Sequence, residues 1–255
     1  MSDVHLGSRG ARARELGQFL DAHACDQLYL VGDILDGWKL RRGWYWDDAQ
    51  TEIVQRFVLR AAGGTRVTYV PGNHDEGLRA YGELSLAGIE VVPEVVHTAA
   101  DGKRYLVLHG DRFDAIVRSH RWLADLGDRA YSVAIFANRW LNALQRLLRR
   151  PQWSLSGYLK GRVKDAFAYA EKFEQAIVTE AQKRRVDGVI CGHIHKAELR
   201  AIDGVLYAND GDWVDSCTAL IERYDGVIEL VRWTADSGTC TREASTEAAV
   251  EVSAG

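Results

Sequence analysis

Proline is nearly missing from this chain, with 3 in 255 residues, and methionine occurs once, so neither polyproline segments nor a methionine-rich groove organises it. Four cysteines (Cys25, Cys191, Cys217 and Cys240) lie far apart with no C-x-x-C pair. That excludes a zinc knuckle or a dithiol redox motif and reads as free thiols in a reducing compartment. No apolar run approaches the roughly 18 residues that a membrane-spanning helix needs. The first residues, Met1-Ser2-Asp3-Val4-His5, carry neither a basic nor an apolar stretch, so a cytoplasmic location without a secretory leader is expected. With 47% hydrophobic and 27% charged residues, what remains is a globular composition long enough for one large core.

The formal net charge of −4 hides a segregation: residues 114–185 hold 14 of the 32 Lys and Arg but only 7 of the 36 Asp and Glu. A basic, helix-patterned block on an acidic body suits either a solvated helix face or a surface that meets phosphate or lipid headgroups. Nucleic acid is not an expected partner, because the basic block is interleaved with aliphatic residues and no nucleic-acid-binding motif is present.

Apolar, β-branched runs bounded by Gly, Asp and Asn predict strands at 27–31, 66–70, 89–92 and 104–109. Between them, apolar positions at helical spacing predict helices over 11–24 and 47–62. This alternation is the mark of an α/β fold with a mostly parallel first sheet. Strand patterning then stops: residues 114–185 predict an insertion of three or four helices, over 114–126, 128–148 and 158–185. Strands resume at 188–191, 198–202, 205–208, 218–222 and 227–233, with Asp203-Gly204 and Asp225-Gly226 as hairpin turns, which predicts a second, antiparallel sheet. A single domain over 1–235 is expected, followed by a disordered tail over 236–255 in which no periodicity remains.

Five segments combine Asp, His and Asn with glycine, each at the start of the chain or directly after a strand. They are Asp3-Val4-His5, Gly32-Asp33-Ile34-Leu35-Asp36, Gly72-Asn73-His74-Asp75, His109-Gly110-Asp111 and Gly192-His193-Ile194-His195. In an extended backbone residues i and i+2 share a face, so Asp3 with His5, and His193 with His195, can each present two ligands. Carboxylate oxygen mixed with imidazole and no thiolate suits Mn, Fe or Zn rather than Ca or copper. The candidates are too many for one ion, and an aspartate bridging two metals about 3.5–4 Å apart would use them all. Five of the eight histidines fall in these segments; His23, His97 and His120 lie outside them and read as ordinary polar residues.

The order D-x-H, G-D-x-x-D, G-N-H-D, H-G-D, G-H-x-H resembles the calcineurin-like metallophosphoesterase superfamily over residues 1 to about 233. Gly110-Asp111-Arg112-Phe113-Asp114, the helical insertion, and Asn209-Asp210-Gly211-Asp212-Trp213-Val214 running into Ser216-Cys217-Thr218 look most like its UDP-2,3-diacylglucosamine pyrophosphatase-like group. The resemblance implies an α/β, two-sheet αββα sandwich with the insertion 114–185 as a helical lid. It makes Asp3, His5, Asp33 and His195 ligands of one divalent ion, manganese first with iron or zinc as alternatives. Asn73, His109, His193 and the shared Asp33 would hold the second. His74 would approach the phosphate, with Asp75 orienting its imidazole and with Asn73 and His195 also touching substrate. Asp36 either supports the site or caps a turn. The implied reaction is hydrolysis of a phosphorylated small molecule or nucleotide-lipid. The rivals are a general phosphodiesterase or phosphatase on soluble substrates and a catalytically weak scaffold.

Two departures stand out. The family has a complete strand before D-x-H, whereas only Met1 and Ser2 precede Asp3, so Asp3 and His5 are expected to hang from a fraying terminus. The best-known lipid A enzymes of the family carry Arg where His74 stands. In the insertion, Trp122, Tyr131, Phe136 and Trp140 with Arg139, Arg146, Arg149 and Arg150 suit either helix packing or peripheral contact with an anionic membrane. Ser156 offers a hydroxyl, and Lys160 and Lys164, at i and i+4, share a helix face that could meet a diphosphate.

Overall fold

The computed structural model describes residues 1–39, 43–81, 85–114, 155–235 and 237–247. It divides into two compact units, one of residues 1–111 with 177–255 and one of residues 112–176. The helices predicted over 114–126 and 128–148, with His120, Trp122, Tyr131, Phe136, Trp140 and the arginines between them, lie outside the described residues apart from Asp114.

The first unit opens with α1 (Ala13–Ala22), β1 (Gln27–Val31), α2 (Asp48–Ala62) and β2 (Arg66–Val70). Asp47 caps α2 by accepting from the Gln50 backbone N–H, which satisfies one of the orphan donors of its first turn. Gly17 lets α1 approach α2 at Ile53, and Arg56 grips Asp21 across the pair at 3.0 and 2.9 Å. Leu16, Phe19, Leu20, Ile53 and Phe57 thereby join Leu28, Leu30, Val67 and Tyr69 in one buried cluster. β1 pairs parallel with β2, and β2 with β4 (Ile89–Val91), which turns back onto β3 (Ser85–Leu86).

The next strands are β5 (Val95–Thr98), β6 (Arg104–Val107), β7 (Gly188–Cys191), β8 (Glu198–Ile202) and β9 (Val205–Asn209). They form a five-stranded sheet in the order β5-β6-β7-β9-β8, reached from β6 through residues that include α3 (Leu155–Arg184). β10 (Thr218–Glu222), β11 (Ile228–Thr234) and β12 (Thr239–Ser245) make an antiparallel sheet of their own. The fold is α/β as expected, with two corrections to the sequence reading.

The strands after the insertion do not form one antiparallel sheet. β7 and β9 run parallel to β6 and extend its sheet, because the long connection allows a crossover and β8 returns on β9 through the Asp203-Gly204 turn. Both turn residues have positive φ, 49° and 78°, as a two-residue hairpin of this kind requires. The tail expected to be disordered from 236 instead supplies β12, paired with β11 from Thr239 to Ser245. β12 escapes a periodicity test because it is an edge strand exposed on most positions, held by backbone pairing and by Arg242–Glu229 and Arg232–Glu243 ion pairs.

Candidate metal centre

The chain start is pinned rather than frayed. Val31 N–H donates to the Met1 carbonyl at 2.8 Å, Asp3 to Gly32 at 3.0 Å, His5 to Asp33 at 2.9 Å and Leu6 to Ile34 at 2.9 Å. Residues 1–6 therefore lie along β1 and the loop after it, and Ser2, Asp3, Val4 and Leu6 are wholly buried. Asp33 follows β1, Asn73 and His74 follow β2, His109 follows β6, and His193 and His195 follow β7. All of these sit at the carboxyl ends of parallel strands, where open α/β sheets place their sites.

The ligand pairs are not presented by an extended backbone, as the i, i+2 argument supposed. Asp3, His5, Asp33, His193 and His195 all have positive φ, between 51° and 73°. None of these residues lies within a strand, and the left-handed turns rather than the pleat aim the side chains. Glycine is required beside them for space: a Cβ on Gly32, itself at φ 73°, would come within 2.2 Å of His109 Nδ1, and one on Gly192 within 2.3 Å of an Asp3 oxygen.

Three overlapping groups result, each with ligand atoms within 4.8 Å of one another: Asp3, His5 and His195; His5, Asp33 and His74; Asp33, His109 and His193. His195 Nε2 lies 3.1 Å from Asp3 Oδ1 and 3.3 Å from His5 Nε2, and His109 Nε2 lies 3.5 Å from Asp33 Oδ2. The histidines of Gly192-His193-Ile194-His195 thus separate, one into each outer group, with Asp33 and His5 between. Asp3 Oδ1, Asn73 Oδ1 and His109 Nε2 are buried without a hydrogen-bond partner. Orphaned carboxylate, amide and imidazole atoms on three of these segments are what bound divalent cations satisfy.

The electrostatics are those of a carboxylate cage around imidazoles. Burial works against charge on His109, but Asp33 and Asp3 beside it raise its pKa to about 10. Burial likewise opposes ionised Asp33, yet His109, a backbone N–H from His74 and the His74 ring hold its pKa well below the usual range. His5 moves the other way, lowered by burial, and stays a neutral donor.

His74 donates from Nδ1 to Asp36 Oδ1 at 2.9 Å, which leaves Nε2 facing the site, 3.9 Å from Asp33 Oδ2. The partner of His74 is therefore Asp36 and not Asp75. Asp75 accepts from the backbone N–H of Ile34 (2.9 Å), Leu35 (3.3 Å) and Gly72 (2.5 Å) and from Tyr69 OH (2.5 Å). Its carboxylate turns back into the protein to tie the loop after β1 to the loop after β2, with Oδ2 taken by Ile34, Leu35 and Tyr69 and Oδ1 by Gly72. Asp36 also accepts from Lys39 N–H at 3.2 Å, so supporting the site and capping a turn are one act.

Sequence reasoning passed over several residues here. Trp38 stacks on His74 with ring centroids 3.9 Å apart, and Asp212 Oδ2 lies 3.9 Å from His195 Nδ1 while its other oxygen holds the turn to Ser216. The signal for Trp38 was present: three tryptophans in nine residues, Trp38, Trp44 and Trp46, follow Gly32-Asp33-Ile34-Leu35-Asp36 directly. His97 proves to be buried, joined to Tyr29 at 3.1 Å and to Glu222. Ser156, Lys160 and Lys164 lie in α3 where side chains fall outside the described residues. A cleft with a volume of about 620 Å³ borders the first two groups and is lined in part by His5, His74 and His195, with Arg9, Lys39 and Tyr45.

An α/β fold with Asp, Asn and His gathered at its strand ends defines a metal-dependent phosphohydrolase. The chain belongs to the calcineurin-like phosphoesterase family, whose family model matches residues 1–197. It is 25% identical over 229 residues to a UDP-2,3-diacylglucosamine hydrolase of Tolumonas auensis, covering 84% of this chain and 87% of the relative. To a protein of the same name from Shewanella pealeana it is 22% identical, covering 91% and 95%. Among solved structures it is similar to Yfce, a phosphoesterase from E. coli, at 13% identity and a TM-score of 0.49, covering 96% and 95%.

Proposed function

We propose that this chain is a dinuclear phosphohydrolase that cleaves the pyrophosphate bond of UDP-2,3-diacylglucosamine, releasing UMP and 2,3-diacylglucosamine 1-phosphate. The observation that carries it is that relatives named for this hydrolysis align over nearly their whole length while all five motifs of this chain contribute to three overlapping groups of potential metal ligands.

The orphaned atoms and the donor chemistry fit two divalent cations, manganese first. Asp3, His5, Asp33 and His195 would hold one, and Asp33, Asn73, His109 and His193 the other. Such a pair, when bound, neutralises phosphoryl charge and brings a water toward ionisation near neutral pH. The remaining work belongs to the chain. His74, fixed by Asp36 and by the Trp38 ring, presents Nε2 to a phosphoryl oxygen and offsets the charge that builds there. Asp36 is its positioning residue. In a pyrophosphate the leaving group is itself a phosphate ester of low basicity, so His74 has no need to protonate it strongly. Water supplies the new P–O bond, the P–O bond to the departing phosphate breaks, and one proton is released. Ser156, Lys160, Lys164, Asn73 and His195 are the further residues assigned to substrate, and contact with an anionic membrane would bring the lipid to them.

The test incubates the protein, with Mn or with a chelator, with UDP-diacylated glucosamine in detergent and with a soluble diester, and identifies products by mass spectrometry. Mn-dependent UMP release from the lipid is expected. Cleavage of the soluble diester alone overturns the substrate and leaves a general phosphodiesterase.

A further inference from the structure

The wall of the cleft carries two cations that the metal centre does not use. Arg9 and Lys39 both line it and are exposed, and among the described residues neither side chain has a carboxylate partner.

Both cations are placed by the loops that build the site. Arg9 lies four residues after His5, and its guanidinium centre sits 4.5 Å from the centroid of the Tyr45 ring. Tyr45 is itself fixed, its N–H donating to the Gly7 carbonyl at 3.1 Å and its hydroxyl to Asp47 at 3.3 Å. Stacked on that ring, the guanidinium keeps its N–H edge free for a planar, two-point grip on phosphate. Lys39 belongs to the turn capped by Asp36, the residue that aims His74. A single phosphate is served by the histidine floor. A cleft of about 620 Å³ accommodates a whole ligand rather than one phosphate, and its second wall is cationic and unneutralised.

We propose that Arg9 and Lys39 form an anion subsite that grips the second phosphate of a diphosphate diester, beside the phosphorus attacked over the floor. The inference rests on the reading of the chain as a pyrophosphate-bond hydrolase and makes these two residues determinants of its preference for diphosphates. The phosphate held here carries no new bond: it is the leaving phosphate, kept in line and its charge screened.

The test is calorimetric titration of the Mn-supplemented full chain with a methylene-bridged UDP, which is not hydrolysed at the bridge, and with UMP. The expected result is tighter binding of the diphosphate, with a preference that falls about tenfold for Arg9→Ala and again for Lys39→Ala. Arg9→Lys should retain part of it, and UMP affinity, metal content and melting temperature should hold. A preference that survives in the double variant overturns the subsite, as does an equal loss for UMP and the diphosphate. If the lipid is not hydrolysed but the preference and its loss are seen, the subsite stands and only the lipid assignment falls.

Discussion

Asp36 stands three residues after Asp33 and Asp75 one after His74, both buried, yet the structure gives them opposite work, and exchanging each for a neutral residue should separate them. Asp36→Asn keeps the shape but weakens the 2.9 Å charge-assisted bond that orients His74. Residues that position a catalytic imidazole in this way are worth about 10–100-fold in activity. The loss should fall on kcat, with KM, metal content and melting temperature little changed. Asp75→Ala removes an acceptor shared by three backbone N–H groups and Tyr69 OH. An orphaned buried donor costs about 1–3 kcal/mol, so even with relaxation the four should total roughly 3–5 kcal/mol. At about 2–4 °C per kcal/mol for a domain of this size, the melting temperature should drop by roughly 10 °C or more. The assay is Mn-dependent hydrolysis of bis(p-nitrophenyl) phosphate, read beside thermal unfolding. The reasoning is refuted if Asp75→Ala loses kcat at an unchanged melting temperature while Asp36→Asn behaves as wild type.

Gly32→Ala should destabilise by more than about 2 kcal/mol and lower bound metal, since it combines a left-handed backbone with a Cβ pressed on His109. Gly64→Ala, at φ 100° with open space around it, should cost only about 1 kcal/mol, and equal unfolding temperatures for the two would contradict the account. Adding Mn at a hundred times its dissociation constant should stabilise by about 2.7 kcal/mol, seen as a rise in melting temperature that a chelator reverses. Asp33→Ala should abolish that rise and leave fewer than two metals per chain by elemental analysis. Hydrogen exchange should find peptides over 239–245 protected; exchange there as fast as in an unfolded peptide would remove β12.

The boundaries of β1 and β2 were legible to the residue because buried parallel strands are short apolar runs fenced by Asp, Arg and Gly. The ligand residues were legible because imidazole, carboxylate and glycine recur together after such runs. What escaped was information that belongs to pairs of distant residues. Asp36 and Asp75 have like side chains and lie near the same histidine in sequence or space, and only the four donors converging on Asp75 decide between them. β12 has no apolar stripe, since its partner β11 supplies the ladder, and the parallel course of β7 and β9 depends on a crossover whose ends are some 80 residues apart (Val107 and Gly188). Arg9, Lys39 and Trp38 gave a compositional signal but no motif.

The left-handed ligand residues join these strands of argument. Non-glycine residues avoid positive φ at a cost of about 1 kcal/mol or more each, and Asp3, His5, Asp33, His193 and His195 together would consume a large part of a typical domain's stability. Such a backbone persists only where other bonds over-determine it. Here they do: Asp3 is held by Gly32 through its N–H, by Trp213 through its carbonyl and by the His193 N–H through its carboxylate, and His5 is held by Asp33. The peptides of Asp3, His5, Asp33, His109 and His193 are thus bonded to segments that carry another ligand, which couples formation of one part of the centre to the next. The same bonds hold residues 1–6, which carry two of the ligands. Their ladder partner is the end of β1 and the loop after it, from Val31 to Asp36, and the left-handed ligands Asp3 and His5 lie within that ladder, opposite Gly32 and Asp33.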